Sequence, residues 1–196
     1  MAWTNPLSGY RTSGFNLTRR HPVTGRIQPH RGTDIAPRAG YVWVGSIGSG
    51  TVVGTRTGRV RGSTAYNTFT GTTAGTLWFG TGNAVLIYHG NGIHSYYGHL
   101  ATVNVSPGQT VSGGQAIGRV GATGVVTGVH LHLEILVNNG WNHVNPTTWM
   151  SDRGVLLGSG RTSISTGPVI PPTAFPSVQM RATPLVFTLN LPLPRF

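Results

Sequence analysis

Apolar and polar residues alternate over short stretches of this chain, and the three-and-four spacing of amphipathic helices is nearly absent. The clearest alternation is "VHLHLEILV" at 129–137, where His130, His132 and Glu134 interleave with Leu131, Leu133 and Ile135. The segments "YVWVGSIGSGTVVG" (41–54), "NAVLIYHG" (83–90), "IHSYYGHL" (93–100) and "QAIGRVG" (115–121) also predict strands, being rich in Val, Ile and aromatics and bounded by glycine. Asn91-Gly92 and Asn139-Gly140 are hairpin dipeptides, because both residue types tolerate the positive φ of a type I′ turn. The first predicts an antiparallel hairpin from Tyr88 to His99. Strict alternation then places His99 on the same side of its strand as Tyr97 and Ser95, with His94 opposite. The expectation is an all-β fold of antiparallel sheets.

Thirty glycines and thirteen prolines punctuate these segments, as expected of many short strands joined by tight turns. At 196 residues the chain is long enough to bury a core, and its composition shifts after Met150. Residues 1–150 read as one domain, and 151–196 as an extended Pro-rich tail that could anchor the chain in an assembly. "PLVFTLNL" within the tail alternates well enough to form one strand able to join a partner's sheet. From Gly54 to Thr81 the sequence is a Gly/Thr/Arg-rich insertion, read as a flap or paired loops carrying Arg56, Arg59 and Arg61.

Charge narrows the choice of partner. Fourteen basic residues, all arginine, face three acids, Asp34, Glu134 and Asp152, for a formal charge of +11. Such a surplus favours an anionic partner: nucleic acid, an anionic cell-wall polymer or a membrane surface. The chain lacks cysteine, so a metal site must use histidine and carboxylate. No segment approaches the length of a membrane span, and the first residues lack the pattern of a signal peptide.

Two of the three acids lie within four residues of a histidine, in "HRGTD" (His30, Asp34) and "HLHLE" (His130, His132, Glu134). Residues two apart in a strand share a face, so His130, His132 and Glu134 project together while the leucines and Ile135 pack behind them. A catalytic zinc commonly takes three His or carboxylate ligands and leaves a position for water. His30, Asp34 and one histidine of the His-x-His pair would complete that set. The remaining histidine of the pair and one from another strand could move protons. Spacing does not choose among His21, His89, His94, His99 and His143, and a His-x-His pair in an apolar strand can also be plain core.

"SGFNLTRRHPVTGRIQPHRGTDIAPRAGYVWVGSIGSGTVV", then "YYGHLATVNVSPGQTVSGGQAIGRVGATGVVTGVHLHLEI" and "VNP", resemble in order and spacing the lysostaphin-type zinc metallo-endopeptidases that cut peptidoglycan peptides. The resemblance covers about residues 8–150. It implies the antiparallel fold of that peptidase domain, His30, Asp34 and His132 as zinc ligands, and His99 and His130 as the catalytic pair. All five positions are filled, which implies a working enzyme. Glu134 is not among the family's ligands; its parity predicts that it holds a ring nitrogen or an arginine, or makes a plain salt bridge. The chain departs from the family's common "SGFGxR" near its start. Thr24 stands where some members carry an extra tyrosine, leaving Tyr96 and Tyr97 as candidates for an oxyanion donor. The insertion lies where members vary the walls of the substrate groove, so bond specificity does not carry over.

A wall-cutting enzyme starting without an export signal is expected to travel on a phage virion, with residues 151–196 touching neighbouring tail proteins, or to be released at lysis. Two rivals accompany this reading. One is a basic nucleic-acid-binding protein, which rests on charge alone and lacks aromatic-basic recognition motifs, so no specific nucleic acid is expected. The other is a structural virion component with an idle peptidase domain.

Overall fold

The alternating segment at 129–137 becomes a central strand, and the remaining elements are arranged around it. The computed structural model describes residues 2–40, 42–59, 61–62, 70–71, 80–139 and 142–159. In chain order these form β1 (Gly9–Ser13), β2 (Thr33–Pro37), β3 (Trp43–Gly45), β4 (Gly50–Arg56), β5 (Thr70–Gly71), β6 (Asn83–Tyr88) and β7 (His94–Leu100). They continue with β8 (Thr102–Val103), β9 (Thr110–Val111), β10 (Ala116–Arg119), β11 (Leu131–Val137), β12 (Asn142–Val144) and the helix α1 (Pro146–Ser151). Among the described residues one nine-stranded sheet runs β1-β2-β11-β7-β6-β4-β5, with β12 on β11 and β9 on β4, and a three-stranded sheet runs β3-β10-β8. Every ladder is antiparallel.

The large sheet has two unlike faces, because side chains alternate across a strand. Ile35, Val52, Val85, Ile87, Tyr97, Leu131, Leu133 and Ile135 turn inward to meet Val44 and Ile117 of the small sheet in one apolar core. The opposite face carries Asp34, His132 and Glu134, flanked by a smaller apolar cluster of Ala84, Leu86, Tyr96 and Leu136. The core therefore fixes the sheet from behind, and the face in front is left for chemistry.

Local signals explain the element ends. Asn91 and Gly92 have φ of 50° and 74°, and β6 and β7 pair across them with Tyr88 opposite His94. At the β11–β12 turn the left-handed residues are Asn138 and Asn139, while Gly140 lies outside the described residues. Asn145 caps α1 by accepting from the Thr147 amide, and Pro146 opens the helix where its missing N–H costs nothing.

Two expectations need correction. Residues 41–54 are not one strand: β3 and β4 belong to different sheets, and Ser46–Ser49 break between them, with Ile47 packed into the core. The insertion begins later than Gly54, because Thr55 and Arg56 are buried in β4 and paired with Val85 and Ala84. Much of the insertion, and the segment "PLVFTLNL", lie outside the described residues. Beyond Met150 the described chain packs back onto the domain: Leu157 enters the core and the Asn5 side chain donates to the Ser159 carbonyl at 2.9 Å. No helix among the described residues is long and apolar enough to cross a membrane.

His89 links the sheet to the segment before it. Its Nδ1 donates to the Ser49 carbonyl at 2.9 Å, its Nε2 lies 2.7 Å from Ser95 Oγ, and Trp3 packs edge-on against its ring. Burial lowers its pKa from 6.5 to about 4, against the partial support of the Ser49 carbonyl. The unfolded chain therefore takes up this proton first, and stability is lost as pH falls from about 6.5 towards about 4. His89→Gln, which cannot ionise, is expected to flatten that part of the urea-unfolding pH profile; a slope identical to wild type would contradict this account.

Candidate functional site

Two segments far apart in sequence meet at the paired strands β2 and β11, where Asp34 stands directly opposite His132. His30 precedes β2 and is held by reciprocal backbone bonds with Asn16, 2.9 and 2.7 Å long. Its Nδ1 donates to the Gly14 carbonyl at 2.6 Å, and since a carbonyl only accepts, Nε2 carries the free lone pair whenever the ring is neutral. His132 is oriented in the opposite sense: Nε2 donates to Glu134 Oε1 at 2.8 Å, and Nδ1 faces Asp34 at 2.8 Å. Gly32 makes this approach possible. A Cβ there would lie 2.5 Å from the Leu133 carbonyl oxygen and 2.7 Å from the His132 ring, so the glycine of "HRGTD" is a steric requirement.

The three donor atoms converge. His30 Nε2 and Asp34 Oδ1 are 2.9 Å apart, and His30 Nε2 and His132 Nδ1 are 3.1 Å apart. Ligands of a tetrahedral zinc with bonds of about 2.1 Å stand roughly 3.4 Å from one another, so small side-chain movements suffice to admit the ion. The set of two nitrogens and one carboxylate oxygen is also chemically right for it, and these three residues are the ones among those described that could hold a metal.

Charge is concentrated here. Burial alone would raise the Asp34 carboxyl, but bonds from His132 and His30 hold it well below the ordinary carboxylate range. Burial alone would lower His132, yet Asp34 and Glu134 on its two sides push it up to about 10. Glu134 is drawn down to about 2 against its burial by His132 and His143.

His99 and His130 complete the cluster, their ring centroids 4.7 Å apart and that of His99 5.7 Å from His132. His130 Nδ1 donates to the Gly128 carbonyl at 3.0 Å, and its Nε2 is 3.8 Å from Asp34 Oδ1. His99 Nδ1 donates to the Thr123 carbonyl at 2.9 Å. Both rings thus present a free Nε2 to the groove, and burial depresses both pKa values, His99 well below its ordinary range.

Strict alternation fails at His99. Tyr97 and Ser95 do lie on the other side of β7, away from Glu134 and His132. A bulge places Gly98 and His99 opposite Ala84, and His99 takes a left-handed φ of 61° with its amide bonded to the Thr81 carbonyl. The extra residue re-aims the ring onto the site face.

Other residues come into view only here. His143 Nδ1, delivered by β12, lies 3.0 Å from Glu134 Oε2, so the glutamate's partners include two histidines. Behind them Arg56 donates to the Gly82 carbonyl, Thr81 Oγ1 and the Tyr96 hydroxyl. Neither tyrosine suggested as an oxyanion donor lines the groove: Tyr97 is core and bonded to the Ile47 amide, and Tyr96 is sealed beneath the site with its pKa raised by burial. His89 and His94 are likewise outside the groove, whereas His21 lines its edge.

The sequence pattern of peptidase family M23 matches residues 28–146. The chain is 41% identical over 138 residues to the peptidoglycan DD-endopeptidase ShyC of Vibrio cholerae, covering 70% of this chain and 26% of that protein. It spans about a quarter of the length of this and similar curated relatives that it matches. A zinc-containing peptidase from Vibrio cholerae superposes with a TM-score of 0.57 at 37% identity, over 74% of this chain and 39% of that one. The catalytic domain of the antimicrobial peptidase lysostaphin from Staphylococcus simulans gives 0.53 at 25% identity, over 73% and 92%.

Gly32→Ala tests the close approach of the two strands. Overpacking at this point is expected to cost roughly 1–3 kcal/mol in chemical unfolding, and displacement of the His132 ring should lower metal occupancy measured by elemental analysis. A variant as stable and as metal-rich as wild type would show that the ring has room to move.

Proposed function

Since this chain belongs to peptidase family M23, we propose that it is a zinc-dependent endopeptidase hydrolysing peptide cross-links of bacterial peptidoglycan. The observation that carries this reading is the convergence of His30 Nε2, Asp34 Oδ1 and His132 Nδ1 beside two further imidazoles with free Nε2 atoms. His30, Asp34 and His132 would hold zinc, whose Lewis acidity polarises a carbonyl and lets water lose a proton near neutral pH.

The chain's own groups then divide the proton work. His99 and His130 are neutral at neutral pH because burial disfavours their cations, so either can accept a proton at Nε2. Once protonated, that ring can hold the developing oxyanion or pass the proton to the departing amine. The carbonyls of Thr123 and Gly128 keep both rings in the required tautomer. Glu134 does the same for His132: it holds the proton on Nε2, so the proton that a metal would displace is the one on Nδ1, facing Asp34.

To this reading we attach delivery on a phage virion tail, with residues 151–196 as the contact to neighbouring subunits. Its support is compositional, the repeated prolines after Met150. Immunodetection of the chain in purified particles tests it.

Purified walls incubated with the full chain should release new amino termini, identifiable by mass spectrometry, and a chelator should stop the release. His30→Ala and Asp34→Ala are expected to lose zinc, whereas His99→Ala should keep zinc and lose about 10²–10⁴-fold in turnover. A fully active His132→Ala protein would refute the assignment. Glu134→Gln is expected to weaken zinc binding by about 10–100-fold in a competition titration; unchanged affinity would reduce the glutamate to a salt bridge.

A further inference from the structure

The groove in front of the histidines, about 500 Å³ in volume, has an unusual wall. Arg19 and Arg31 both line it, and neither has a carboxylate partner among the described residues. The chain's composition favours this: of three acids, Asp34 and Glu134 are already held by histidines. Arg19 is half-buried, its Nη1 donates to Ser13 Oγ at 2.9 Å, and its Nε is buried without an acceptor. A buried guanidinium donor left unsatisfied is costly, and in native structures such a group calls for an explanation.

Its position is also fixed relative to the site. The Arg19 carbonyl accepts from the Gln28 amide at 2.9 Å, and Arg20 bridges Ile27, on the same ribbon whose Asn16–His30 pair holds the first proposed zinc ligand. The ribbon's turn is closed by His21, whose Nδ1 accepts from the amides of Val23 and Thr24 at 3.2 Å. The His21 pKa is lowered by burial and then by the Arg19 charge, so the guanidinium's field reaches the groove edge. Arg31 follows His30 directly and is exposed on the same wall.

Resting on the peptidase reading above, we propose that Arg19, assisted by Arg31, binds a free carboxylate of the peptide being cut, so that this wall selects acidic peptides over their amidated counterparts. The planar guanidinium fork matches a carboxylate with two parallel hydrogen bonds, which a lysine could not reproduce. Because Arg19 is half-buried in the same groove as the histidines, the partner it meets is part of the peptide itself. A wall polymer would instead meet outer arginines such as the exposed Arg38.

The test uses the zinc-loaded full chain and two synthetic cross-linked peptides, identical except that the carboxylate beside the scissile bond is free in one and amidated in the other. Wild type is expected to favour the free acid by roughly 10- to 100-fold in kcat/KM, mainly through KM, the range of a charged hydrogen bond. Arg19→Gln should bring that ratio close to one, and Arg19→Lys should recover only part of it. Arg38→Gln removes the same charge away from the groove and should leave the ratio intact. A wild-type ratio near one overturns the proposal whether or not the variants fold, and so does an equal loss on both peptides in Arg19→Gln. The Arg19 Nε–H resonance, followed by NMR during titration with each peptide, separates the two readings. A shift with the free acid alone, without cleavage of either peptide, would keep the carboxylate site and sink the peptidase. Cleavage without discrimination would do the reverse, and neither cleavage nor shift would sink both.

Discussion

The close approach of β2 and β11 is the constraint on which the rest of this site depends. It places Asp34 directly across from His132, and it is possible because Gly32 has no side chain where the His132 ring and the Leu133 carbonyl lie. Once those strands are paired, a buried carboxylate stands between two imidazoles, an arrangement that would be unfavourable if either charge were left alone. Each proposed ligand is then locked by a second bond, His30 to the Gly14 carbonyl and His132 to Glu134. Donor atoms held by such bonds lose little freedom when a metal arrives.

The second pair of histidines depends on a departure from regular sheet geometry. A flat β7 would have turned His99 into the apolar core beside Tyr97. The bulge opposite Ala84 and the left-handed backbone at His99 turn the ring outward, where the Thr123 carbonyl sets its tautomer. His130 needs no such device, since it precedes β11 on the same face as His132 and is anchored by its bridge to Gly121. The site thus combines side chains from one regular ladder with one from an irregularity beside it.

Below and beside the site, an acid-poor chain has to place its charges with care. Arg56 is buried, yet its guanidinium is satisfied by neutral oxygens of Gly82, Thr81 and Tyr96. Asp34 and Glu134 are used where an imidazole must be oriented. The cost of this economy is that, among the described residues, Arg19 and Arg31 in the groove have no carboxylate partner.

Much was legible from one dimension. Short strand-like segments punctuated by glycine and proline pointed to the all-β fold, and alternation along 129–137 placed His132 and Glu134 on one face with Leu131, Leu133 and Ile135 behind. The resemblance singled out His30, Asp34, His99, His130 and His132, which the fold brings into one cluster. Alternation misassigned His99, since a bulge inserts a residue without leaving a mark in the hydrophobic pattern. Arg56 reads as part of a loop because its composition does, and only pairing with Ala84 shows it to be in the sheet. His143 was one histidine among several until the β11–β12 register set it beside Glu134. The sequence by itself determined which residue types were available and which faces they share along a strand. Only the tertiary structure decided which atom of each ring points inward, because that depends on carbonyls of Gly14, Thr123 and Gly128 that carry no side-chain signature.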